Sequence, residues 1–233
     1  MSEMVKMIRM VRRNFKETDF TKYKPSNWDM TKIVYPWRVM FHPASVFNDI
    51  KYENRGSLAL ANLLFLGLIF SSLLSTAATG FIFNMNRPED FRLLREIGVA
   101  ALLPVLWCVA NLSMTTLFEG EGNLKEIWIV TNYAFFPYLL ITVPVTIISN
   151  AITIEEFALA SIVGTVATVY SVILLLVGMM TIHQFSLKRT IAMSLVSLGI
   201  MACIVFILVL LFSMFGQMIA FFDTVIREIT YRK

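Results

Sequence analysis

Few side chains in this chain are of the kinds that do chemistry, and their placement points away from catalysis. The two histidines, His42 and His183, lie far apart and form no His-Glu-x-x-His pair, which would set two imidazoles on one helical face around a metal. Neither a Gly-x-Ser-x-Gly nucleophile elbow nor a phosphate-cradling Walker loop is present. The expectation is a protein that is no enzyme and needs no metal or cofactor. His42 sits among aromatic residues suited to a membrane interface. His183, shortly before Lys188 and Arg189, reads as a snorkelling or headgroup contact. Cys108 and Cys203 both fall within long apolar runs, where a thiol serves as buried filler.

The most distinctive local pattern is Glu119-Gly120-Glu121-Gly122-Asn123-Leu124-Lys125-Glu126. Gly120 and Gly122 predict a tight structural turn using positive φ. Carboxylates on both sides would repel a phosphate, so the acid is expected to pair with the basic N-terminal segment. Farther on, Pro137 and Pro144 each remove a backbone donor and predict kinks in one apolar run, with Thr142, Thr146 and Ser149 placed to satisfy freed groups. A broken span is one ingredient of a transport site, although no charged residue lies inside any span. Ser71, Ser75 and Thr79, like Ala160, Gly164 and Thr168, recur every four residues or so and predict closely packed helix seams. Asn62 and Asn111 are placed to hydrogen-bond across such seams.

These residues must be carried by membrane helices. Apolar and aromatic residues make up 57% of the chain and charged ones 15%, an excess that a soluble core does not explain. The charge-free stretches 56–86, 97–118, 127–154, 157–187 and 190–222 each exceed the roughly 20 residues that cross a hydrocarbon core of about 30 Å. The expected class is therefore an all-α integral membrane protein. Its five transmembrane helices lie near Ser57–Thr79, Ile97–Phe118, Ile127–Asn150, Phe157–Ile182 and Thr190–Phe222. The charges between Met1 and Lys16 interrupt any signal-peptide core, so the first span is expected to be an uncleaved anchor.

Residues 1–56 hold 11 Lys/Arg against 6 Asp/Glu, so the net charge of +4 comes entirely from this quarter of the chain. A basic pI beside long uncharged stretches does not fit a nucleic-acid binder. Within residues 1–34, Met4, Met7, Ile8, Val11 and Phe15 share one side of a predicted helix, followed by a linker. Lys6, Arg9, Arg12, Arg13 and Lys16 supply cations suited to an anionic leaflet or a protein partner. Residues 35–56 read as an interfacial pre-membrane segment lying along the bilayer. It contributes Arg38, Lys51 and Arg55 as further contacts, with Val46, Phe47 and Ile50 on one helical face and Gly56 turning the chain into the first span. Residues 57–222 form the membrane domain and 223–233 a short polar tail. The Lys/Arg bias, chiefly that of the first segment, predicts a cytoplasmic N-terminus and an external C-terminus in a cell membrane.

The pre-membrane Phe41-His42-Pro43 with Phe47, Ile50 and Lys51 belongs to a recognisable set. The others are Gly120-x-Gly122 followed by Leu124, Lys125 and Glu126, and Tyr133-Ala134 with Pro137. Together they resemble the Yip family, named for interaction with Ypt/Rab GTPases, and in particular its prokaryotic branch. The resemblance covers about residues 35–222 and implies the five-helix Yip domain fold. Eukaryotic members are implicated in vesicle traffic and bind prenylated Rab proteins, but their Asp-Leu-x-Gly-Pro-Leu segment has no counterpart here. Some prokaryotic relatives look associated with sugar-importing ABC transporters. The function expected is a non-enzymatic membrane adaptor or assembly subunit that contacts lipid or a protein partner through its N-terminal face. The alternative is a transport component or accessory subunit of an ABC-type, sugar-class importer.

Overall fold

The computed structural model describes residues 33–79, 92–118 and 120–231. The described residues form eight α-helices and no strand: α1 Tyr35–Phe41, α2 Pro43–Tyr52, α3 Leu58–Ala78, α4 Leu93–Leu117, α5 Leu124–Ala134, α6 Phe136–Ile148, α7 Ile154–His183 and α8 Leu187–Tyr231. Five segments are long and apolar enough to cross a membrane: α3, α4, α5 with α6 as one, α7 and α8. Each overlaps one of the five charge-free stretches, because the backbone in hydrocarbon must bond to itself, which an uninterrupted apolar helix achieves.

The short helices have local causes. Pro36 and Pro43 occupy first-turn positions of α1 and α2, where a missing N–H costs nothing. The turn between α2 and α3 departs from expectation. Asn54, with φ of 51°, adopts the left-handed conformation, and none of the described glycines has a positive φ. Gly56 instead makes a close approach, since a Cβ there would lie 3.1 Å from Ile129. Ser57 then caps α3 by accepting from the Leu60 N–H.

The third span divides at Phe135, whose φ of −83° and ψ of 0° leave the helix. Pro137 explains the break at this position: its ring lacks the N–H that would bond one turn back. The next amide, Tyr138 N–H, donates to Ser171 Oγ on α7 at 3.2 Å instead. Pro144 is carried inside α6 without ending it. Pro104, within α4, is a third proline inside a span.

α5 is the hub. Ile127, Ile129, Val130, Thr131, Asn132, Tyr133 and Ala134 are all buried among α3, α4, α7 and the two short helices. α8 packs mainly on α4 and α7 and is 45 residues long, about 67 Å at 1.5 Å per residue. Its continuation through residues 223–231 carries an Asp223–Arg227 pair one turn apart at 3.0 Å. Cys108 is buried, but Cys203 on α8 is exposed, which corrects its assignment as buried filler.

Candidate functional site

The residues singled out before the first span assemble at one end of the bundle, termed here the head. On α2, Val46, Phe47 and Ile50 follow a helical spacing and bury almost completely against α7 and α5. The space for Phe47 exists because Gly178 has no side chain: a Cβ there would come within 3.3 Å of the Phe47 ring and 2.2 Å of Val130. This amphipathic face is therefore covered by protein. The exposed stripe of this segment lies on α1 and its N-cap, where Val34, Trp37, Arg38 and Phe41 follow three-, four- and seven-residue spacings. Trp37 meets Phe136 of the third span edge to face at 5.2 Å, which fixes this stripe at the side of the bundle.

Lys51 lies one turn beyond Phe47, and its position differs from the outward one expected. Its side chain is only 10% exposed and turns inward, with Nζ 3.8 Å from Glu121 Oε2 and 3.6 Å from Glu126 Oε2. It also donates to the Glu121 carbonyl at 3.1 Å. Glu126 serves twice, because its Oε2 also accepts the Asn123 N–H at 3.3 Å and so caps α5. The attraction expected between the acidic turn and the basic segment is thus made by Lys51. Glu119, Lys6, Arg9, Arg12, Arg13 and Lys16 lie outside the described residues. Arg38 and Arg55 face outward. Tyr35 and then Glu53 hold the Arg55 guanidinium above its ordinary pKa, with Glu53 Oε2 at 2.6 Å.

His183 also departs from expectation. It is 5% exposed, so it is neither a snorkelling residue nor a headgroup contact. Its ring fills the space left by Gly122, where a Cβ would meet His183 Cε1 at 2.7 Å and Ile182 at 2.6 Å. Gly122 is therefore needed for close approach and not for a left-handed turn; Gly120 lies beside it in the same non-helical stretch. Neither ring nitrogen of His183 has a hydrogen-bond partner among the described residues. Phe185 stacks on it at 5.5 Å, and the Arg189 guanidinium lies 4.2 Å from the Phe185 centroid while donating to the Phe118 carbonyl at 2.8 Å.

Long-range hydrogen bonds tie the head together. The Tyr133 hydroxyl accepts from Ser57 N–H, Trp128 Nε1 donates to Asn62 Oδ1 at 2.8 Å, and the Tyr170 hydroxyl donates to the Met40 carbonyl. Asn62 thus bridges two spans, whereas Asn111 donates to Trp107 of its own helix. His42 is exposed, and among the described residues no three His, Cys, Asp or Glu side chains converge on a metal position. The head is a braced surface.

A Yip1 domain model matches residues 37–222. The chain belongs to the Yip1 family. The match begins within α1 and ends inside α8, so it takes in both short helices and all five candidate spans. The motifs that carried the resemblance to this family, from Phe41 to Pro137, are the ones gathered at the head and at the break below it. Neither a curated protein nor a solved structure gives a significant match to the chain.

The opposite end of the bundle holds a feature that spacing misread. Ser71 is fully buried, as a close seam requires, but Ser75, Thr79, Ala160, Gly164 and Thr168, with Thr142 and Thr146, line a cavity of about 500 Å³ between α3, α6 and α7. A Cβ on Gly164 would meet nothing within 4 Å. Small residues at four-residue spacing suit either a tight contact or a hollow, and only the tertiary arrangement decides.

Proposed function

We propose that this Yip1-family chain is a non-enzymatic adaptor or assembly subunit whose head faces the cytoplasm and engages a partner. Partner contact is shared between the basic N-terminal segment and the exposed face of α1 and the α2–α3 turn. One observation carries this reading: at the head, Lys51, Glu126, His183 and Tyr133 are all engaged or enclosed within the fold. Arg38, Arg55, Trp37 and Phe41 are left facing outward. Aromatics and arginine on a rigid support are the residue types that anchor interfaces. Purification in mild detergent, with the proteins recovered identified by mass spectrometry, tests it. A defined partner should be recovered with the intact chain and lost when residues 1–30 are deleted while the thermal midpoint is kept. Equal recovery with and without those residues would sink the proposal.

The second reading, a transport component or accessory of an importer, is supported by the hydroxyl-lined cavity at Thr142 and Thr146. Solute flux into vesicles containing this chain alone would replace the adaptor reading with this one.

A further inference from the structure

The hydroxyl-lined cavity does not stand alone. A second cavity of about 1030 Å³, lined mainly by apolar side chains of α4 and α8 such as Leu103, Val205 and Phe206, shares Tyr138 and Thr168 with it. Among the described residues, no charged side chain lines the polar cavity. It begins at Thr79, where α3 ends, and reaches Thr168, fourteen residues or about 21 Å along α7 from its first turn. It therefore runs from the bundle surface opposite the head towards mid-membrane, where the apolar cavity takes over. The polar cavity falls within the size range of small-molecule sites, roughly 300–1,000 Å³, and the apolar one lies at its upper end.

The hydroxyls are oriented by their own helices. Thr146, Ser161, Thr165 and Thr168 each donate to a carbonyl three or four residues back. With those protons engaged, the oxygens offer lone pairs to the cavity, so the lining is rich in acceptors and suits a ligand rich in O–H donors. Tyr138, at the junction, has a hydroxyl with no hydrogen-bond partner among the described residues, and it is free to donate to a linking oxygen. An uncharged, donor-rich head beside an apolar chain describes a neutral glycolipid.

We propose that the joined cavities bind a membrane lipid whose uncharged sugar head occupies the hydroxyl-lined part and whose acyl chain occupies the apolar part. The site lies at the far end from the head and requires neither the adaptor nor the transport reading. A lipid that stays bound satisfies it without flux, and loss of an adaptor partner would leave it intact.

The test uses the full chain in phosphatidylcholine nanodiscs containing monoglucosyl diacylglycerol, with bound lipid read by native mass spectrometry. The wild type should retain the glucolipid in preference to phosphatidylcholine, whose quaternary ammonium donates no hydrogen bond. Gly164→Leu places bulk in open space and should abolish retention. Thr142→Val with Thr146→Val keeps the shape but removes two hydroxyls, and should weaken retention about tenfold, as expected for two lost hydrogen bonds. The double variant carries the test if Gly164→Leu does not fold. Absence of preference in the wild type, or full retention by the folded variants, would overturn the proposal. So would displacement by soluble methyl glucoside at equal concentration, because the acyl chain would then contribute nothing.

Discussion

Helix α7 meets two different environments along its length. At Gly178, near the head, an added methyl would strike Val130 at 2.2 Å; at Gly164, fourteen residues earlier, the same methyl would meet nothing within 4 Å. The interior of the head is packed by short helices, a cap and an ion pair. The far end is hollow and lined by hydroxyls. One continuous helix can therefore hold a rigid platform at one membrane face and an adaptable cavity towards the other, because apolar helices in lipid gain stability from packing wherever packing is available.

The largest test of the contrast is Phe47→Ala, which empties the space under α2. It should cost about 3–5 kcal/mol and lower the thermal midpoint in detergent more than any far-end truncation. Next comes the pair on α7. Gly178→Ala should destabilise by about 1–3 kcal/mol through overpacking. Gly164→Ala should be neutral or stabilising by up to about 1 kcal/mol, since alanine favours helix. Equal effects from both would erase the distinction. Lys51→Met leaves Glu126 without its cationic partner while retaining the apolar stem. A loss of about 1–3 kcal/mol is expected, partly restored by Glu126→Gln in the same chain. The smallest effect belongs to Arg38→Ala with Arg55→Ala. Stability should change by less than about 0.5 kcal/mol, while sedimentation with anionic vesicles falls, separating the outer surface of the head from its braced interior.

The spans were legible in the sequence because hydrocarbon tolerates no charge, but the helices do not stop where charges resume: α3 ends at Ala78, ahead of Arg87, and α8 runs past Asp223 to Tyr231. The inward face of α2 was legible for a related reason: Val46, Phe47 and Ile50 can share only one side of a helix. Helical spacing says which residues share a face but not what the face meets. Lys51 shares that inward face with Phe47, yet its charge alone points to solvent; only Glu126, on another helix, accounts for its burial. Two prolines in one run announced a break, but Ser171 on a separate helix supplies the acceptor that lets it fall near Pro137. His183 could not be placed from sequence, since its burial depends on the missing side chain of Gly122.

The unequal helices set a problem of thickness. α3, with 21 residues, is about 31 Å long and matches an ordinary hydrocarbon core of about 30 Å without tilting. The 33 uncharged residues at positions 190–222 of α8 measure about 50 Å. Fitting them by tilt alone would require more than about 50°, beyond the roughly 0–40° found for membrane helices. No single bilayer matches both helices, so thickening the membrane would expose the ends of α3 to mismatch while relieving it on α8.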